Sequence, residues 1–98
     1  MINKIDISSN KIILESLSMD LLRVALGLHR GSPKMAQRFE EEAMERAGEI
    51  KKQDLKPYLK NILTKVEASF RSKPDEKKAE EALMYSTLIR NYCQTYLK

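Results

Sequence analysis

Two short segments interrupt an otherwise helical chain, and each joins a helix stop to a helix start. They are His29-Arg30-Gly31-Ser32-Pro33 and Arg71-Ser72-Lys73-Pro74-Asp75. Gly31 stands where a helix can end in the left-handed region, which glycine enters without steric cost. His29 and Arg30 suit the negative end of a helix dipole. Ser32 then offers an N-cap oxygen. Pro33 takes the first helical position, where a missing N–H costs nothing. In the second break, Ser72 with Asp75 reads as a variant of the capping box.

Apolar residues between the breaks recur at steps of three and four, which places them on one helical face. The pattern predicts four helices, over about 10–29, 33–52, 54–71 and 73–97. The stripe of the first is Leu14, Leu17, Leu21, Val24, Ala25 and Leu28. In the second it is Ala36, Phe39, Ala43, Ala47 and Ile50, and in the third Leu55, Leu59, Ile62, Val66 and Phe70, widened by Tyr58 and Leu63. The fourth carries Ala82, Tyr85, Ile89, Tyr92, Cys93 and Tyr96, flanked by Leu83, Leu88 and Leu97. Asp54 is the expected cap of the third helix, with Pro57 in its first turn. Residues 1–8 show no clear period and read as a short arm, with Ser8, Ser9 or Asn10 as the cap that follows.

The 98 residues suffice for a single domain, here 1–98. Three glycines and three prolines are too few for the turns of an all-β fold. The expected architecture is therefore all-α: a four-helix antiparallel bundle, up-down-up-down, with the N-terminal arm. One cysteine excludes an intramolecular disulfide and a cysteine-based zinc cluster. The first residues lack the apolar run of a signal peptide, and no stretch is apolar enough to span a bilayer, so a cytoplasmic location without membrane contact is expected.

The first helix has a second apolar row, Met19, Leu22 and Leu26, on another side from the core stripe. A helix apolar on two sides is either central in its domain or covered by a partner. Burial of that row in a homodimer is the expectation. The competing account folds the arm back over it through Ile2, Ile5 and Ile7. Tyr92, Tyr96 and Leu97 form a second candidate interface, because the fourth helix grows more apolar towards its end. Ser16, Ser18 and Asp20 leave room for a break in the first helix.

The net charge of +4 is uneven. Residues 51–78 hold nine basic and four acidic groups, so an anionic partner would meet that block first. Lys52, Lys56, Lys60, Arg71 and Lys73 are the candidate nucleic-acid contacts. The first three form a row only if one helix runs through them.

Little else points to chemistry. Glu40, Glu41, Glu42, Glu45 and Glu49 are dense, but no Glu-x-x-His accompanies them, as a di-iron bundle would require. A solvated helix face is the simpler account. His29 falls in a turn with no nucleophile at a recognisable spacing. Cys93 lies within the apolar stripe of the fourth helix, as a small buried residue does. A helix-turn-helix reading of Leu22–Phe39 fails because Gly31 comes too late for the turn and the following helix is acidic. No catalytic residue, metal ligand or cofactor is expected. The expected function is protein–protein interaction, with itself or another helical partner, and nucleic-acid binding through 51–78 is the alternative.

Overall fold

The structure, a computed structural model, describes the backbone of residues 2–97 and the side chains of residues 10–97. Four α-helices account for most of it: α1 (Ile2–His29), α2 (Pro33–Glu49), α3 (Pro57–Ser69) and α4 (Glu76–Tyr96). A 3-10 turn over Lys52–Asp54 links α2 to α3. No strand occurs among the described residues, and the fold is all-α.

The first break behaves as its residues dictate. Gly31 has φ +70°. The Ser32 N–H donates to the Gly27 carbonyl at 2.8 Å and the Gly31 N–H to the Leu28 carbonyl at 3.2 Å. Those two bonds satisfy helix-end carbonyls that would otherwise be orphaned. Ser32 occupies the N-cap position of α2, yet its side chain makes no capping bond. In the second break the cap is Asp75 rather than Ser72: its carboxylate accepts from the Lys78 N–H at 3.0 Å. The Ser72 hydroxyl turns back to the Ser69 carbonyl at the end of α3.

Three expectations about helix ends are corrected. The segment expected as an arm is helical from Ile2, so it continues α1 and does not fold back over the Met19 row; the side chains of Ile2, Ile5 and Ile7 lie outside the described ones. Asn10 is no cap, because its amide is used elsewhere. It donates to the Lys51 carbonyl at 3.3 Å and accepts from the Lys51 N–H at 3.1 Å, as a paired strand residue would. Between α2 and α3, the chain leaves the helix after Glu49 and re-enters at Pro57, with Lys56 rather than Asp54 at the cap position. The Lys56 N–H donates instead to the hydroxyl of buried Tyr92, at 3.1 Å.

Helix α1 packs along both α2 and α4. Small residues sit at both contacts. A Cβ placed on Gly27 would fall 2.8 Å from the backbone nitrogen of Ala36. On the α4 side, Ser18 donates to the Ser86 carbonyl at 3.1 Å, and Ser86 returns a bond to the Ser18 carbonyl at 2.8 Å. Ser18 thus ties two helices together inside a continuous α1, and no break occurs at Ser16–Asp20.

Leu14, Leu17 and Leu21 of α1 point to the main core, where they join Leu59, Leu63 and Val66 of α3 and Ile89 and Cys93 of α4. Each leucine is fully enclosed, and such burial is worth roughly 1.5–3 kcal/mol per side chain. A smaller cluster of Val24, Ala25, Ala36 and Ala82, backed by Leu28 and Phe39, fills the end near Gly31.

Two glycine substitutions should diverge. Gly27→Ala gains helix propensity but drives a methyl into the Ala36 backbone, and should destabilise by on the order of 1–3 kcal/mol. Gly48→Ala meets nothing within 4 Å and should stabilise by a few tenths to about 1 kcal/mol. Urea denaturation of both variants measures the contrast.

Candidate functional site

Three sides of α1 are taken: Ser18 meets α4, Gly27 meets α2, and Leu14, Leu17 and Leu21 meet the core. The fourth side faces solvent. It carries Ile12, Met19 and Leu26 at steps of seven, with exposures of 61%, 46% and 38%. Steps of seven drift by only about 20° on an α-helix, so the three form one stripe. Leu22 is half-buried beside it. Leu83 of α4 is also exposed, at 44%.

Charged residues punctuate the stripe. Glu15 and Arg23 are both exposed, one on each side of Met19. Arg23 is braced from below, since its guanidinium lies 3.8 Å from the Asp20 carboxylate and 5.3 Å from the centre of the Phe39 ring. Asp20 is buried, with Arg46 of α2 on its other oxygen at 3.9 Å. Burial pushes the Asp20 carboxyl above its ordinary range and Glu42 adds to this, while Arg46 and Arg23 pull the other way. Asp20 is a bridge between α1 and α2 beneath the exposed surface.

The other predicted positions are dispersed. Met19 and Leu26 lie on the open stripe and Leu22 on its margin. Tyr92 is withdrawn from the surface, where its hydroxyl serves Lys56. Tyr96 is exposed and packs against Tyr92, with ring centres 5.0 Å apart. Leu97 leans on the main core. Among the basic candidates, Lys52 reaches Glu67 at 3.3 Å, and Lys56 lies over the Tyr96 ring at 4.9 Å. Lys60 projects from α3, whereas Arg71 and Lys73 are exposed in the turn before α4. The helical row through Lys52, Lys56 and Lys60 does not form, because no helix spans residues 50–56.

Glu40 departs from the solvated acidic face. It forms an ion pair with Lys78, which is itself buried and donates to the Ser72 carbonyl at 3.1 Å. The pair joins α2 to α4 at the floor of a cleft of about 240 Å³ walled by Leu28, Pro33, Phe70 and Pro74. Each charge balances the other, so the pair adds no net charge to the cleft. His29 is exposed at the end of α1. Cys93 is buried, and its thiol is pushed up to about 11, first by burial and then by Glu15, against Lys11. Among the described residues, no group of three or more His, Cys, Asp or Glu side chains is placed to hold a metal ion. No helix among them is long and apolar enough to cross a membrane.

Several of these groups escape sequence reasoning. The buried Asn10, Ser18, Asp20, Lys78 and Ser86 are polar, and a hydrophobic pattern passes over them. Ile12 carried a usable signal, since it stands seven residues before Met19. Comparison with protein-family models, curated proteins and solved structures finds no match to this chain.

Two measurements follow from the buried groups. Lys78→Ala should destabilise by on the order of 3 kcal/mol, because it strands Glu40, and Lys78→Met with Glu40→Leu should recover much of that loss in thermal melts. At neutral pH a thiol reagent should label Cys93 slowly in the native protein and quickly in denaturant. The raised thiol pKa also carries a sign. Its contribution to stability is complete below the ordinary value of 9.0 and is lost as pH rises through about 11.

Proposed function

We propose that this chain is a non-catalytic helical module that acts by protein–protein interaction, including association with a second copy of itself. One observation carries the reading: an apolar stripe of Ile12, Met19 and Leu26, with Glu15 and Arg23 interspersed, stays in solvent on a helix whose other sides are already occupied. Exposed apolar surface of this kind marks interaction sites in soluble proteins. A homodimer needs only one such surface, provided it is self-complementary. The cytoplasm suits a chain whose only cysteine is a free thiol.

The reading goes with an antiparallel, up-down-up-down course of the four helices. Contacts between α1 and α2 support it, since Asn10 meets Lys51, Asp20 meets Arg46 and Gly27 meets Ala36. In the same way Ser18 meets Ser86, while Ala25 clusters with Ala82. An anionic partner at residues 51–78 is the lesser reading. Lys52, Lys56 and Lys78 there already face Glu67, Tyr96 and Glu40.

Light scattering after size exclusion should give twice the mass of one chain at micromolar concentration. Leu22→Glu with Leu26→Glu should give a folded monomer with an unchanged far-UV CD spectrum. A monomeric wild-type chain across that range would overturn self-association.

A further inference from the structure

We infer that two copies pair through antiparallel α1 helices that cross at Met19 on a two-fold axis. This rests on the self-association proposed above and adds its geometry. Read along the open side of α1, the residues are Ile12, Glu15, Met19, Arg23 and Leu26. Their chemistry runs apolar, acidic, apolar, basic, apolar. The order is symmetric about Met19 except that the two charges have opposite sign. An antiparallel copy centred on Met19 brings Ile12 level with Leu26 of the second copy, Glu15 level with Arg23 within reach of their long side chains, and Met19 onto itself. The two-fold axis repeats each contact, which gives two ion pairs around an apolar centre.

A parallel pairing of the same stripe sets Glu15 against Glu15 and Arg23 against Arg23. Like charges held together across an interface oppose association. The charge order thus selects one direction of approach, while the apolar stripe alone would accept either. Two further features fit. Arg23 is held in place by Asp20 and the Phe39 ring, so little of its freedom remains to be lost on pairing. Methionine on the axis is adaptable enough to pack on its own image.

Cysteine cross-linking tests the geometry separately from the mass. The unsubstituted chain, whose only thiol is buried, serves as control. Under mild oxidation, Met19→Cys should give a covalent dimer on a non-reducing gel. Ile12→Cys alone should not, because the antiparallel crossing puts the two sites about 21 Å apart along the axis, far beyond disulfide reach. Mixed Ile12→Cys and Leu26→Cys chains should cross-link to each other. Glu15→Arg should weaken the dimer about ten-fold, and Glu15→Arg with Arg23→Glu should restore it. A chain dimeric by light scattering in which Met19→Cys stays uncross-linked, or Ile12→Cys links to itself, overturns the antiparallel crossing and leaves self-association standing. A wild-type chain that is monomeric overturns both.

Discussion

Everything in this fold depends on how closely α1 approaches two neighbours at once. Backbone contact with α2 at Gly27 and reciprocal serine bonds with α4 at Ser18 both require side chains of almost no volume. A larger residue at either point would push a helix away. The leucines between these contacts would then lose the packing that stabilises them. Close approach also explains why α1 has an unoccupied side. With α2 and α4 beside it and α3 supplying the core below, no further helix among the described residues is left to cover Ile12, Met19 and Leu26.

The polar groups drawn into this arrangement have specific partners. Ser18 and Ser86 satisfy each other's carbonyls, Asn10 serves both the N–H and the carbonyl of Lys51, and the Tyr92 hydroxyl accepts from the amide at the start of α3. Desolvating such groups without partners costs more than the bonds return. Glu40–Lys78 is a charged contact that connects α2 to α4, whereas Asp20 and Arg46 face each other at 3.9 Å between α1 and α2, an electrostatic contact that leaves Asp20 Oδ2 and Arg46 Nε without a hydrogen bond. The interior is therefore specified by direction as well as by volume: leucines fill it, and the polar contacts say which helix sits where.

The helical core was largely legible in the sequence. Leu14, Leu17, Leu21, Ala43, Leu59, Ile62, Val66 and Ile89 all fall where their spacing puts them, because periodicity reports burial directly. The turn at Gly31 was legible for a local reason, as few residues other than glycine tolerate its conformation. Helix ends were less so. Ser8, Ser9 and Asn10 resemble caps, but the neighbour of Asn10 is Lys51, which is 41 positions away in sequence and invisible to local rules. Tyr58 and Tyr92 share a residue type and opposite fates, one exposed and one buried, and only the placement of α3 against α4 separates them. Of the candidate interface, the stripe on α1 could be read from spacing. Its flanking charges acquire meaning only once the solvent side of the helix is known.

The Asn10–Lys51 pair and the Gly31 turn stand at opposite ends of the contact between α1 and α2. Together they act as a double clasp. Sliding one helix past the other by a single turn, about 5.4 Å, would have to open both at once. Sequence drift on the open face can therefore change its chemistry without changing its register. A partner docking there, as proposed, would meet a surface of fixed pitch.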